Sequence, residues 1–161
     1  MKNLILVRHG KSSWDYAVSD KDRPLKERGI NDALLVSDIF KQKDYQVDAV
    51  FSSPANRALH TCMIFLRRLE FPFTDFQVIE NLYDFSGNSD LEFIKSIDDH
   101  LNTVMVFGHN HAFTYLANSL GNSYIDNVPT SGLVHLKFDV DNWNAISQGA
   151  TIQTIFPKDY R

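Results

Sequence analysis

Four residues in this chain combine the right chemistry with the right kind of position: Arg8, His9, Arg57 and His109. Arg8-His9-Gly10 ends the apolar run Leu4-Ile5-Leu6-Val7, and Gly108-His109 ends a second run, Val104-Met105-Val106-Phe107. Each is a buried strand that delivers a histidine beside a glycine to one lip of a sheet. Arg57 follows Ser52-Ser53-Pro54 at the start of a predicted helix, where the helix dipole disfavours a cation unless an anion faces it. Two guanidiniums and two imidazoles at one lip form a cationic pocket. Phosphate suits it best, because guanidinium binds phosphate oxygens in bidentate fashion.

The elements that must position these residues follow from periodicity. After the first strand, Ser12 to Asp22 is polar and irregular. A helix is predicted over 26–41, with Gly29, Ala33, Val36 and Phe40 on one face. Asp48 to Phe51 is a second strand, and Ser53 is expected to cap a helix carrying Leu59, Cys62, Leu66 and Leu69 as its buried stripe. Phe76 to Ile79 is a third strand and Leu91, Ile94 and Ile97 mark a short helix. Thr103 to Phe107 is the clearest strand after the first. His111 to Leu120 is helical, closed by Gly121. Gly132 to Val140 and Thr151 to Phe156 read as a late, antiparallel pair. Strands alternating with helices imply an α/β fold with a mainly parallel central sheet. If the first and fourth strands are neighbours, their backbones lie about 5 Å apart and the two histidines share one ligand.

Composition bounds the rest. The chain has 161 residues, which suits one domain over 1–161; 43% are hydrophobic and 22% charged. The net charge of −4 argues against a general nucleic-acid binder. One cysteine, Cys62, allows no internal disulfide, and no apolar run is long enough for a signal peptide or a membrane span, so a cytoplasmic location is expected.

Order, spacing and strand context together resemble the histidine phosphatase superfamily, the phosphoglycerate mutase-like or RHG family, and within it the SixA-type phosphohistidine phosphatases. The likeness rests on Arg8-His9-Gly10, Arg57 after Ser52-Ser53-Pro54, and Gly108-His109. It extends to Lys11-Ser12-Ser13-Trp14, Asp22-Arg23-Pro24-Leu25 with Glu27-Arg28-Gly29, Leu82-Tyr83-Asp84 and Gly108-His109-Asn110. It implies a three-layer α/β/α sandwich and a phosphatase that uses neither metal nor cofactor. His9 would be the nucleophile, forming a phosphohistidine intermediate. Arg8, Arg57 and a protonated His109 would hold the phosphoryl oxygens. Ser12 sits where a small hydroxyl residue contacts the phosphate in many members, whereas Asp15 stands where mutase-type members often have asparagine. Asp84 is the candidate general acid, with Glu80 as competitor. SixA itself is held to lack that acid, and a phosphoramidate leaving group needs it less. Thr130-Ser131 resembles a late loop near the site, His111 stands where proline is common, and Trp14 and Tyr83 are placed to rim the pocket.

The implied substrate is a phosphorylated protein carrying phosphohistidine. A broad small-molecule phosphomonoesterase and a non-catalytic phosphate or phosphoprotein binding module stay open as alternatives. A metal hydrolase using His9, His109 and His111 is disfavoured by the arginines crowding the same lip. No nucleic-acid or membrane partner is expected, and oligomeric state is not legible.

Overall fold

A computed structural model describes residues 1–161. Its centre is a six-stranded sheet built from β1 (Lys2–Arg8), β2 (Ala49–Ser52), β3 (Phe76–Val78), β4 (Thr103–Gly108), β5 (Leu133–Phe138) and β6 (Ala150–Ile155). The spatial order is β3-β2-β4-β1-β5-β6. The β1–β4, β2–β4 and β2–β3 pairs are parallel, while β5 and β6 add antiparallel strands on the other side of β1. Four helices flank the sheet: α1 (Glu27–Gln42), α2 (Asn56–Leu69), α3 (Asn88–Lys95) and α4 (Ala112–Leu120). The fold is α/β, with a mainly parallel central sheet extended by antiparallel strands at one edge.

Because β-strand side chains alternate between faces, β1 and β4 each feed two cores. Ile5, Val7, Met105 and Phe107 pack with Ala33, Val36, Phe40, Cys62, Phe65 and Leu66 of α1 and α2. Leu4, Leu6, Val104 and Val106 pack with Ile94 of α3 and with Phe113, Leu116 and Leu120 of α4. The sheet thus lies between two helical layers, which explains why its central strands read as unbroken apolar runs.

One local expectation is corrected. Ser53 does not cap α2; the helix starts at Asn56 after Ala55, because the Ser53 hydroxyl accepts from the Ala55 amide and is also engaged by His109. Gly121 closes α4 as expected, in an extended conformation (φ −96°, ψ −179°). A side chain there is excluded by contact, since a Cβ would lie 2.3 Å from Thr151 Oγ1.

Candidate active site

The register of the sheet builds the site. Arg8 pairs with Gly108 across β1 and β4, and the His9 amide donates to the Gly108 carbonyl at 3.1 Å. His9 and His109 therefore leave neighbouring parallel strands at the same level, with ring centroids 5.3 Å apart. The end of β2 arrives alongside, where the Ser53 amide donates to the Phe107 carbonyl, and this brings the first turn of α2 with Arg57 to the same lip. Such a position, outside the carboxyl ends of parallel strands, is where open α/β sheets bind ligands.

The His9 ring is fixed in one tautomer. Its Nδ1 lies 2.7 Å from the Gly10 carbonyl; a carbonyl only accepts, so Nδ1 carries the proton. Nε2 then holds the lone pair, and it accepts from Arg57 Nε at 3.3 Å. Burial first, and then His109, Arg57 and Arg8, push the His9 pKa down to about 3, despite the opposing bond to Gly10. The ring is neutral near pH 7 and its lone pair is on Nε2, the nitrogen that faces Arg57.

The backbone behind His9 is held tightly. The Gly10 amide donates to Thr61 Oγ1 at 2.9 Å, and Thr61 in turn donates to the Arg57 carbonyl, so one hydroxyl ties the His9 loop to α2. A Cβ on Gly10 would fall 2.8 Å from the Gly29 carbonyl, and one on Gly29 would fall 2.4 Å from the Lys11 carbonyl. Only two glycines let the start of α1 lie on this loop. Ser131, at a positive φ of 60°, closes the other side by donating its amide to the His9 carbonyl.

A cavity of about 310 Å³ opens onto these groups. Arg8, His9, Lys11, Ser12, Arg23 and Arg57 form its polar wall, and Trp14, Phe85, Asn110, Thr130 and Asp20 complete it. Arg8 donates from Nη1 to the Val128 carbonyl at 2.8 Å, while its buried Nε has no partner. Burial and then Arg57 lower the Arg8 pKa from its ordinary value. The cationic charge here is thus under-compensated, which favours an anion. Ser12 accepts from Arg23 Nη1 at 2.7 Å, which places its hydroxyl on the wall. No three His, Cys, Asp or Glu side chains are grouped so as to hold a metal ion.

His109 is placed differently from the expectation. It is fully buried, with Nε2 2.8 Å from Ser53 Oγ and Nδ1 unpartnered, and the rings of Phe85 and Tyr83 lie over it. Burial, followed by Arg57, lowers its pKa to about 3. Burial, Arg57, Arg8 and Arg23 together outweigh the opposing Asp20 carboxylate and favour the neutral ring.

The candidate acids also differ. Asp84 does not line the cavity. Its carboxylate accepts from the amides of Ser86, Gly87 and Asp90 and from the Ser86 hydroxyl, all at 3.0 Å. Burial raises its pKa, but the Asp90 and Ser86 bonds outweigh that and leave it lowered. The carboxylate organises the start of α3 and is turned away from the expected role. Glu80 is exposed and pairs with Lys21 at 3.7 Å. The acid that does line the cavity is Asp20, from a short 3-10 turn over Asp20–Asp22. Its carbonyl accepts from Arg57 Nη1 at 2.6 Å and its carboxylate from Arg57 Nη2 at 2.9 Å, from Arg23 Nε at 3.1 Å and from the Tyr83 hydroxyl.

Asp20, Thr61, Ser53 as the partner of His109, and Phe85 were not identifiable as site residues from the sequence. Arg23 stood out only within the Asp22-Arg23-Pro24-Leu25 likeness. Of the remaining histidines, His111 is exposed at the start of α4, while His135 is buried far from the site against Asn3 Oδ1.

The family can now be stated: the chain belongs to the histidine phosphatase superfamily (branch 1), whose pattern matches residues 4–90. Within that class, its whole length superposes on the protein histidine phosphatase SixA complexed with tungstate, with a TM-score of 0.82, 21% identity and 99% of each chain covered. A SixA-type phosphohistidine phosphatase structure from Agrobacterium tumefaciens gives 0.78 at 24% identity, covering 96% of this chain and 97% of that one. By sequence, an uncharacterized protein of Mycobacterium tuberculosis is 29% identical over 153 residues, covering 89% of this chain and 93% of the relative. A 2,3-bisphosphoglycerate-dependent phosphoglycerate mutase of Borrelia garinii is 42% identical over 72 residues, 43% of this chain and 29% of the mutase.

Proposed function

We propose that the protein is a phosphatase that uses His9 as its nucleophile and acts on phosphohistidine in a phosphorylated protein. The observation that carries this reading is the single His9 tautomer: Nδ1–H held by the Gly10 carbonyl and the Nε2 lone pair facing Arg57, at a cavity walled by three guanidiniums. Whole-chain likeness to SixA structures supports the substrate class.

In the first step the Nε2 lone pair forms a bond to phosphorus while the bond to the leaving group breaks, and Arg8, Arg23 and Arg57 offset the charge on the phosphoryl oxygens. The ring becomes a phosphorylated imidazolium, its Nδ1–H still bonded to Gly10. In the second step water adds to phosphorus, the electron pair returns to Nε2, and both water protons stay with the phosphate product. Neutral His9 is regenerated. The arginines supply the positive charge, so no metal or cofactor enters either step. No helix is long and apolar enough to cross a membrane, and a cytoplasmic phosphoprotein is the proposed partner.

Turnover of an aryl phosphate and of a phosphohistidine protein tests this reading. His9→Ala is expected to lower kcat for both by about 10,000-fold or more, as loss of a covalent nucleophile does. Radiolabel from the substrate is expected to appear on the wild-type protein and be absent from the variant. Undiminished turnover by His9→Ala would falsify the covalent route. Stoichiometric phosphate binding with no hydrolysis of either substrate would favour a binding module instead.

A further inference from the structure

Asp20 is the only carboxylate on the cavity wall. It shares the Arg57 guanidinium with His9: Nε faces His9 Nε2, while Nη1 and Nη2 are taken by the Asp20 carbonyl and carboxylate. The carboxylate is thus one guanidinium's width from the nucleophile, on the side of the cavity mouth. Three donors converge on it, from Arg57, Arg23 and Tyr83. Partial burial would raise its pKa, but the Tyr83 and Arg57 bonds prevail and hold it well below the ordinary carboxylate range. An acid held this way stays ionised and accepts hydrogen bonds; it has no proton to give a leaving group. Asp84 is engaged with α3 and Glu80 with Lys21, and Asp90, whose pKa burial raises to about 8, is fully buried; none of the three is on the cavity wall.

We propose that Asp20 is a specificity-determining residue: its carboxylate accepts the ring N–H of a phosphorylated imidazolium and so favours phosphoramidates over alkyl phosphate esters. The assignment rests on the phosphatase reading above and refines its substrate class. The proton balance explains the preference. A phosphoimidazole protonated on its distal nitrogen already carries the proton it needs. When His9 Nε2 bonds to phosphorus and the substrate P–N bond breaks, the electron pair returns to the ring nitrogen. The leaving group departs as neutral imidazole with its N–H still bonded to Asp20. An alkoxide leaving from an ester would need a proton that this wall does not hold. Phe85, on the cavity wall and partly exposed, offers an aromatic ring to a flat cationic group, while the Trp14 ring already carries the Arg23 guanidinium. The same negative charge opposes retention of free phosphate, which offers no compensating N–H.

The test is a ratio. Steady-state kcat/KM is measured for phosphoimidazole and for an aryl phosphate, whose leaving group needs no proton, in wild type, Asp20→Asn and Asp20→Glu. Asn keeps an oxygen for Arg57 but removes the charge. The phosphoimidazole-to-aryl ratio is expected to fall at least ~10-fold in Asp20→Asn, the scale of one hydrogen bond to a charged group, and to recover in part in Asp20→Glu. An equal fall on both substrates would overturn the assignment, since Asp20 would then act only through Arg57. An unchanged ratio would overturn it as well. Wild type that hydrolyses the aryl phosphate but not phosphoimidazole would sink both this assignment and the phosphohistidine substrate, while leaving the His9 nucleophile in place.

Discussion

Asp20 and Asp84 are two aspartates on irregular segments, each drawing several hydrogen-bond donors, yet their partners differ in kind. Asp84 is nearly buried and is met by backbone amides of one local stretch, Ser86 to Asp90. Asp20 is met by side chains, Arg23 from its own segment and Arg57 and Tyr83 from two segments distant in sequence. Amides of the next few residues report on local folding: they tell the chain where α3 begins. A guanidinium and a phenol brought from distant segments, Arg57 and Tyr83, report on a site. A carboxylate's role is therefore read from where its donors come from, more than from how many there are.

This contrast can be broken experimentally, and the largest effect is expected at the guanidinium that links Asp20 to His9. Arg57→Lys keeps a charge but loses the fork that touches both groups, and kcat/KM for an aryl phosphate is expected to fall ~100-fold, the cost of losing one preorganised donor of this type. A loss under threefold would mean that Arg57 only anchors the 3-10 turn. Asp84→Ala is expected to act on stability instead. It leaves three amides without an acceptor and should cost about 2–3 kcal/mol in urea unfolding, while kcat/KM per folded molecule stays within a factor of ~3. A large fall in kcat at unchanged stability would restore Asp84 as a catalytic acid.

A smaller, pH-dependent signature follows from His9. Its folded pKa of about 3 lies below the ordinary value near 6.5, so the reactive neutral form persists until the pH falls toward 3. Corrected for the substrate's own ionisation near pH ~6, kcat/KM for the aryl phosphate is expected to vary less than ~3-fold between pH 5 and 8. A limb near 6.5 would show His9 titrating freely. The smallest effect belongs to Glu80, whose pairing with Lys21 is exposed. Glu80→Gln is expected to shift unfolding free energy by less than ~0.5 kcal/mol and to leave turnover within twofold.

Much of the fold was legible because β1 and β4 are buried on both faces and must be continuously apolar, and because α1 carries Gly29, Ala33, Val36 and Phe40 at helical spacing. Arg8, His9, Arg57 and His109 were legible as a set because each follows a recognisable strand or opens a helix. What escaped depends on contacts distant in sequence. Asp20 lies in a polar stretch that resembles any solvated loop, and its meaning comes from Arg57 and Tyr83. Thr61 sits one turn along α2 from Arg57, where a hydroxyl reads as a minor feature of a core helix; only the packed structure brings the Gly10 amide to it. Ser53 has the residue type of a cap, and the cap was the wrong inference because a histidine from β4 competes for its hydroxyl. The burial of His109 beneath Phe85 and Tyr83 comes from a loop whose path no periodicity reveals.

The strand order has a consequence for synthesis. β1 is made first, but its neighbours in the sheet are β4 and β5, through pairs such as Leu4 with Val104 and Leu4 with Leu136. A ribosome that has released Arg8, His9 and even Arg57 has produced a first strand with both edges open and no place to settle. Closing loops of this length is entropically slow. The emerging chain therefore carries its whole first-half signature for many seconds as an unpaired, apolar ribbon, and Arg8, His9 and His109 come together only when β4 slots in beside it. For this protein, the pocket is a late-arriving property of the nascent chain.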